Sequence, residues 1–233
     1  MRKQEREAIN YIISMKGDMI DQLELAEVCS WIAQKAVFDK SAPTFEYFCE
    51  YLVSTLVELI MEEYGPSALL EKLDEKELFY TNEFGRTCSI FKDVSFKDDV
   101  NIPQKLLKPM AFKYATFNGE VHIDAINVPK AIFLRALFKK DVKLSDGCKS
   151  LDTKCFQSDF IPGAKLYIPN TIESIDYQSF SEDVHTKNNI YFGGTVEQFN
   201  ELTIKAGKNM SSSVVDTSTW PKSVVCSDGT WSN

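Results

Sequence analysis

The residues of this 233-residue chain best suited to chemistry are two histidines, six cysteines and a few acidic pairs, and their spacing argues against a catalytic centre. His122 and His185 each lack a second metal-ligating residue at helical spacing, so no metal site and no cofactor are expected. Cys148 and Cys155 could serve as nucleophiles only if the fold carried one of those histidines alongside. The cysteines (Cys29, Cys49, Cys88, Cys148, Cys155, Cys226) are dispersed, with no Cys-x-x-Cys pair, and read as free thiols filling small apolar sites. Gly193-Gly194-Thr195 could open a phosphate loop, but no Gly-Lys-Ser or Gly-Lys-Thr follows, which leaves a turn. Asp228-Gly229 reads as a tight turn between short strands. Glu62/Glu63 and Asp74/Glu75 could couple as acid and base, yet they share a run with Glu58, Glu71 and Glu77 and read as solvated helix surface.

Basic and aromatic residues interleave at Lys105, Lys108 and Lys113 with Phe112, Tyr114 and Phe117, and Lys139-Lys140 adds charge downstream. Nucleic-acid binders use that mixture. Here the aromatic positions coincide with a repeating apolar spine, so core is the expected role. No nucleophile, base and oxyanion site assemble from neighbouring residues, which leaves an enzyme as the third reading.

The elements that must position these residues follow from composition. A 44% apolar content can bury a sizeable core, and the net charge is −8. Apolar runs such as Tyr51 to Val53 and Leu56 to Met61 fall short of the roughly 18 residues of a membrane span. The charged start Met1-Arg2-Lys3-Gln4-Glu5-Arg6-Glu7 has no apolar stretch behind it, so no secretory leader is expected. A cytoplasmic protein, or one built into a particle assembled there, is the expectation. Residues 1–80 hold 8 Lys and Arg against 16 Asp and Glu, leaving 18 against 18 in the rest. Such an acidic segment repels phosphate backbones, so no nucleic-acid partner is expected.

From Lys3 to about Leu73 apolar residues recur at helical spacing. Ala8, Ile9, Ile12 and Ile13 define a first helix; Leu23, Val28, Trp31 and Ile32 define a second, with Asp18 as its cap. Ser41-Ala42-Pro43-Thr44 caps a third, with Phe45, Phe48, Leu52, Leu56, Leu59 and Ile60 on one face, and a shorter fourth follows Gly65-Pro66. After Asn82-Glu83-Phe84-Gly85 the pattern shortens to apolar clusters separated by Pro, Asn, Asp and Gly, which are short strands and turns.

The clearest unit runs from Leu166 to Phe180: Leu166 and Ile168 alternate as a strand, Pro169-Asn170-Thr171 turns, and Ile172, Ile175 and Phe180 point inward. A five-residue interval recurs at Leu107/Phe112, Phe133/Phe138, Leu151/Phe156 and Ile175/Phe180. The terminal phenylalanines are then 26, 18 and 24 residues apart, around the period of a solenoid coil. Ile102-Pro103-Gln104 and Val128-Pro129-Lys130 echo Ile168-Pro169-Asn170. Stacked coils share one core and hydrogen-bond their strands into a parallel ladder, about 4.8 Å per rung.

At these residues the chain resembles the BspA-like leucine-rich repeat family, whose units read approximately Ile-x-Ile-Pro-x-x-Ile-x-x-Ile-x-x-x-x-Phe. The stretch Ile190-Tyr191-Phe192-Gly193-Gly194-Thr195-Val196-Glu197-Gln198-Phe199 is similar to the closing rung of such arrays, with a short helix. Val224-Val225-Cys226-Ser227-Asp228-Gly229-Thr230 resembles their final strand and turn. Cys148 to Phe156 lacks the proline, and Val121 to Phe138 reads as carrying extra residues. The resemblance implies a binding surface for another protein and no resident chemistry.

The expected class is therefore α+β: an acidic helical bundle over 1–80, a transition over 81–97, and a short leucine-rich-repeat solenoid with a parallel strand ladder over 98–233, closed by a C-terminal cap. Such a chain would act as a non-catalytic adaptor or inhibitor, at home in a bacteriophage or mobile element, or as a structural part of a larger assembly. Tyr167, Glu173, Asp176 and Tyr177 are the candidate partner contacts, because they interrupt the apolar set within the best-formed unit.

Overall fold

The computed structural model describes residues 45–81, 85–180, 189–208 and 220–232. The first two expected helices and their caps lie outside the described residues, as does His185. The third and fourth are present. Helix α1 (Phe45–Tyr64) buries Val53, Leu56, Val57 and Ile60 on one face. It ends where Gly65 turns with φ 82°, a conformation side chains disfavour, its N–H bonding back to Met61 O at 2.8 Å. Pro66, whose fixed φ suits a first helical turn, opens α2 (Pro66–Lys72). No helix among the described residues is long and apolar enough to cross a membrane.

A hairpin of β1 (Phe79–Thr81) and β2 (Thr87–Ser89) leads into a succession of very short strands that wind as a β-solenoid. Three ladders run along it. The longest joins β4 (Val100–Ile102), β6 (Val121–Ile123), β9 (Val142–Leu144), β12 (Leu166–Ile168) and β14 (Ile190–Phe192) in parallel. A second joins β7 (Asn127–Val128), β10 (Ser150–Leu151) and β13 (Ser174–Ile175). The third joins β3 (Ser95–Phe96), β5 (Thr116–Phe117), β8 (Leu137–Phe138) and β11 (Asp159–Phe160), so about four turns stack.

Register fixes the coil length. Val100, Val121 and Val142 are paired at intervals of 21 residues, and Leu166 and Ile190 follow at 24. Phenylalanine fills the interior in two columns. Phe91, Phe112, Phe133 and Phe156 stack at 5.2, 5.6 and 5.5 Å. Phe96, Phe117, Phe138 and Phe160 stack at 4.8, 5.0 and 4.8 Å, the spacing of neighbouring strands. All eight are buried, and each stacked pair contributes about 0.5–1.5 kcal/mol beyond the area it removes from water.

This register corrects the expected repeat. Phe133 and Phe138 belong to different columns, and the true counterpart of Leu151/Phe156 and Ile175/Phe180 is Val128/Phe133. The 26- and 18-residue intervals therefore become 21 and 23, read on Phe112, Phe133 and Phe156. Val128-Pro129 lies in the second ladder, not in line with Ile102 and Ile168. Val121 to Phe138 carries no extra residues, since its strands hold the same register as the coil before. Two sets of phenylalanines five residues apart disguised the repeat, because either column alone satisfies the same apolar pattern.

The corners around the first column adopt left-handed backbone at non-glycine residues: Asp93, Met110, Tyr114, Ala131, Arg135 and Lys154, each two residues from a spine phenylalanine. Each costs on the order of 1–2 kcal/mol. Hydrogen bonds to the next coil offset this: the N–H groups of Tyr114, Ala131, Arg135 and Lys154 reach the carbonyls of Leu134, Thr153, Gln157 and Gln178 at 2.6–3.0 Å. Coils nest tightly at Gly119, where an added Cβ would sit 2.4 Å from the Asp98–Asp99 backbone.

Both ends of the stack are closed. At the first coil, Glu58 of α1 accepts the Ser95 N–H at 2.7 Å and Ser67 of α2 accepts the Asn101 N–H at 3.4 Å, so helix side chains occupy open strand edges. Glu62 pairs with Lys97, Glu75 with Lys108 at 2.6 Å, and the Lys105 ammonium donates to Glu71 O at 2.5 Å. Of the acids read as solvated helix surface, Glu62 and Glu75 also pair with lysines of the first coil while staying about half exposed. Phe91 and Phe96, within the segment read as transition, already stand in the spine. At the far end β15 (Ser223–Cys226) pairs parallel with β14 and antiparallel with β16 (Gly229–Ser232). Asp228 and Gln198 accept the first N–H groups at α3 (Val196–Lys208), which packs Phe199 against Trp220 and Trp231. The Gly-Gly-Thr and Asp-Gly motifs are therefore turn and cap, as their sequences imply.

Candidate interaction surface

Each ladder turns one residue per strand outward, so the three outward columns can be compared directly. The second column reads Asn127, Ser150, Ser174, small groups tied to the sheet, with the Ser150 hydroxyl donating to Asn127 Oδ1 at 2.7 Å. The third reads Ser95, Thr116, Leu137, Asp159. The long ladder presents Asn101, His122, Lys143, Tyr167, Tyr191 and Val225, and its four middle positions form a continuous run of large groups with polar tips. Its inward partners Val121, Val142, Leu166 and Ile190 are fully buried, which fixes the direction of the outward set.

Within that row Tyr167 and Tyr191 lie with ring centroids 5.2 Å apart. The Lys165 ammonium stands 4.8 Å over the Tyr191 ring, and the phenol oxygens of Tyr167 and Tyr191 hold it above the ordinary lysine range. Lys143 donates to Glu120 Oε2 at 2.7 Å, and that hydrogen bond raises its affinity for the proton. His122 Nε2 is 3.6 Å from the same oxygen. Half-buried tyrosines flanked by tethered lysines, on backbone held by hydrogen bonds on both sides, form a surface that loses little freedom on contact.

Of the four residues proposed from sequence, Tyr167 occupies this row. The other three flank the second ladder. Glu173 pairs with Lys149 at 2.8 Å; Asp176 Oδ1 accepts the Gln178 N–H at 2.8 Å; Tyr177 is half-buried against the core. The structure thus divides the set between two sides of the coil. Tyr191, Lys165, Lys143 and Glu120 were missed. The available signal was the match of Leu166-Tyr167-Ile168 with Ile190-Tyr191-Phe192, 24 residues on.

The candidate chemical groups stay apart. Cys148 and Cys155 are fully buried, and burial pushes the Cys148 thiol up to about 11 and the Cys155 thiol higher still, so neither is a thiolate near neutrality. Among the described residues no cluster of His, Cys, Asp and Glu could hold a metal ion. Phe112 and Phe117 are core, as expected, but Tyr114 is only half-buried, with the Lys113 ammonium 5.0 Å from its ring. Lys105 and Lys108 are engaged by α2 and the turn after it, which splits the basic cluster. No protein-family model, curated protein or solved structure matches the chain.

Proposed function

We propose that the chain is a non-catalytic protein-binding module, that its solenoid is a leucine-rich-repeat array of the BspA-like kind, and that the outward row of the long ladder is its contact surface. The observation that carries this reading is the Tyr167–Tyr191 pair set between Lys165 and Lys143 on a rigid ladder. Tyrosine supplies large contact area at low entropic cost and is enriched where interfaces concentrate their energy. The charge of the helical half supports a protein partner over nucleic acid. The role is that of an adaptor or inhibitor of a cellular protein, in keeping with a phage or mobile-element setting and a cytoplasmic location.

The test is a matched capture from host lysate with the native chain and a Tyr167→Ala/Tyr191→Ala variant, each checked for native circular dichroism and monodisperse elution. A protein retained by the native chain and lost from the folded variant, by about tenfold or more per removed aromatic anchor, is the expected result. Equal capture by both would remove this row from the interface. Recovery of the chain only within very large particles would favour a structural component instead.

A further inference from the structure

A second surface lies on the third ladder, where β5 and β8 run side by side. Thr116 pairs with Leu137 and Phe117 with Phe138; the phenylalanines fill the core, which leaves Thr116 and Leu137 outward. Before the strands the N–H of Tyr114 reaches Leu134 O at 3.0 Å, and after them the N–H of Lys139 reaches Phe117 O at 2.9 Å. The register therefore sets Lys113, Tyr114 and Arg135 along one margin of this face, and Lys139 and Lys140 along the other. Arg135, Lys139 and Lys140 are exposed, while Lys113 and Tyr114 are half-buried.

The first margin is assembled around a single ring. The Lys113 ammonium stands 5.0 Å and the Arg135 guanidinium 5.9 Å from the Tyr114 centroid, and Arg135 Nη1 is 3.5 Å from the phenol oxygen. Among the described residues none of the four cations forms an ion pair, whereas Lys92, Lys97, Lys108, Lys143 and Lys149 each hold a carboxylate. Asp159, outward on the next coil, ends the basic stretch. A chain of net charge −8 that gathers four such cations over two coils presents a local positive field against its own background.

Spacing selects the ligand. Four residues of extended chain separate Arg135 from Lys139, roughly 13 Å. An extended peptide with acids at alternate positions carries carboxylates at i and i+4 the same distance apart, with the intervening one over Thr116 and Leu137. The Arg135 fork matches a carboxylate, and the Tyr114 phenol supplies a further donor beside it. A phosphate backbone fits less well. The cations held against the Tyr114 ring leave a base less face to stack on, and the acidic chain repels a long polyanion.

We propose that this face binds an extended acidic segment of a partner protein, with Lys113, Tyr114 and Arg135 at one carboxylate and Lys139 and Lys140 at another four residues along. The face is distinct from the tyrosine row of the long ladder, so either can fail alone.

Fluorescence anisotropy tests this, with a labelled peptide of about ten residues, glutamate alternating with serine, titrated with the full chain at low salt. Saturable binding that weakens as salt rises is expected. Because the overall charge of the chain repels this probe, its binding reports the local patch. Arg135→Gln and Lys139→Gln/Lys140→Gln should each weaken binding about threefold, and the three changes together about tenfold or more. Arg135→Lys, which keeps the charge and loses the fork, should fall between Arg135→Gln and the native chain. Lys130→Gln, at an exposed lysine beside the second ladder, should leave the affinity unchanged. Unchanged thermal midpoints are expected and are to be checked; if Arg135→Gln lowers the midpoint, the Lys139→Gln/Lys140→Gln pair decides alone. Absence of saturable peptide binding up to about 1 mM chain, a range that would still register millimolar affinity, overturns the proposal. So does native-like binding by the triple variant, or tighter binding of a thymidine oligonucleotide of the same length than of the peptide.

Discussion

The coils before residue 142 and those after it solve the same packing problem differently. Upstream, strands recur every 21 residues, phenylalanine fills both columns, and left-handed residues flank Phe112 and Phe133 on both sides. Downstream the interval lengthens to 24, Phe156 and Phe160 stand four residues apart, and Leu151, Ile172, Ile175, Cys148 and Cys155 share the interior with the rings. The ring columns persist across the change in length, with Phe133 on Phe156 at 5.5 Å and Phe138 on Phe160 at 4.8 Å, so the added residues fall between the columns and not within them. Where aliphatic and thiol side chains enter, the coil can lengthen without losing its ladder. The outward aromatic residues of the long ladder also lie downstream, at Tyr167 and Tyr191, where the Lys165 ammonium stands over a ring.

Four perturbations break or sharpen this contrast. The largest is Ile175→Asp in a downstream coil: Ile175 is 3% exposed, and an unpaired carboxylate there should unfold the stack, read as loss of β-sheet circular dichroism. Next is Phe133→Ala upstream. Phe133 lies between Phe112 and Phe156 and also meets Phe117 and Phe138, so about 3–5 kcal/mol should be lost in urea denaturation. A cost no greater than that of Ile172→Ala would contradict the extra stabilisation that the stacked rings contribute.

Gly119→Ala comes third, at about 1–3 kcal/mol, because the new methyl meets backbone of the preceding coil and not a side chain that could move. The same change at Gly147, where a Cβ meets nothing within 4 Å, should cost far less, and the difference in thermal midpoint measures how tightly the short coils nest. The smallest effect is a pH dependence confined to the downstream interior. Burial raises the Cys148 thiol from 9.0 to about 11, so between those values the unfolded chain releases a proton that the folded chain keeps. That contribution is full below about pH 9 and is lost as pH rises. Urea midpoints at pH 8 and 10 should therefore fall further apart in the native chain than in a Cys148→Ala/Cys155→Ala variant.

The sequence disclosed the downstream coils more readily than the upstream ones, and the reason is physical. Leu166 to Phe180 holds a single inward phenylalanine beside its aliphatic positions, so its alternation can be read in a single direction. Upstream, Phe112 and Phe117, or Phe133 and Phe138, are both inward, and only pairing between coils tells which column each joins. α1 and α2 were legible from spacing, Gly65 and Pro66, whereas their docking through Glu58, Glu62 and Ser67 was not, because it depends on lysines and strand edges more than thirty residues away. Tyr167 was found as an interruption in an apolar unit. Its neighbours Tyr191 and Lys165 became visible only once the 24-residue register placed them side by side.

Because that register builds both the spine and the outward row, a crosslink that reads it directly is the sharpest test. His122 and Lys143 are partners on adjacent strands of the long ladder, within the Cα separation of roughly 4.4–6.8 Å that a disulfide accepts. A His122→Cys/Lys143→Cys variant should oxidise quantitatively without loss of the native fold. A His122→Cys/Lys140→Cys variant, spaced for an 18-residue coil, should not. The reverse outcome, closure of the 122–140 pair with the 122–143 pair left open, would contradict the coil register and with it the alignment of Lys143, Tyr167 and Tyr191 into one surface.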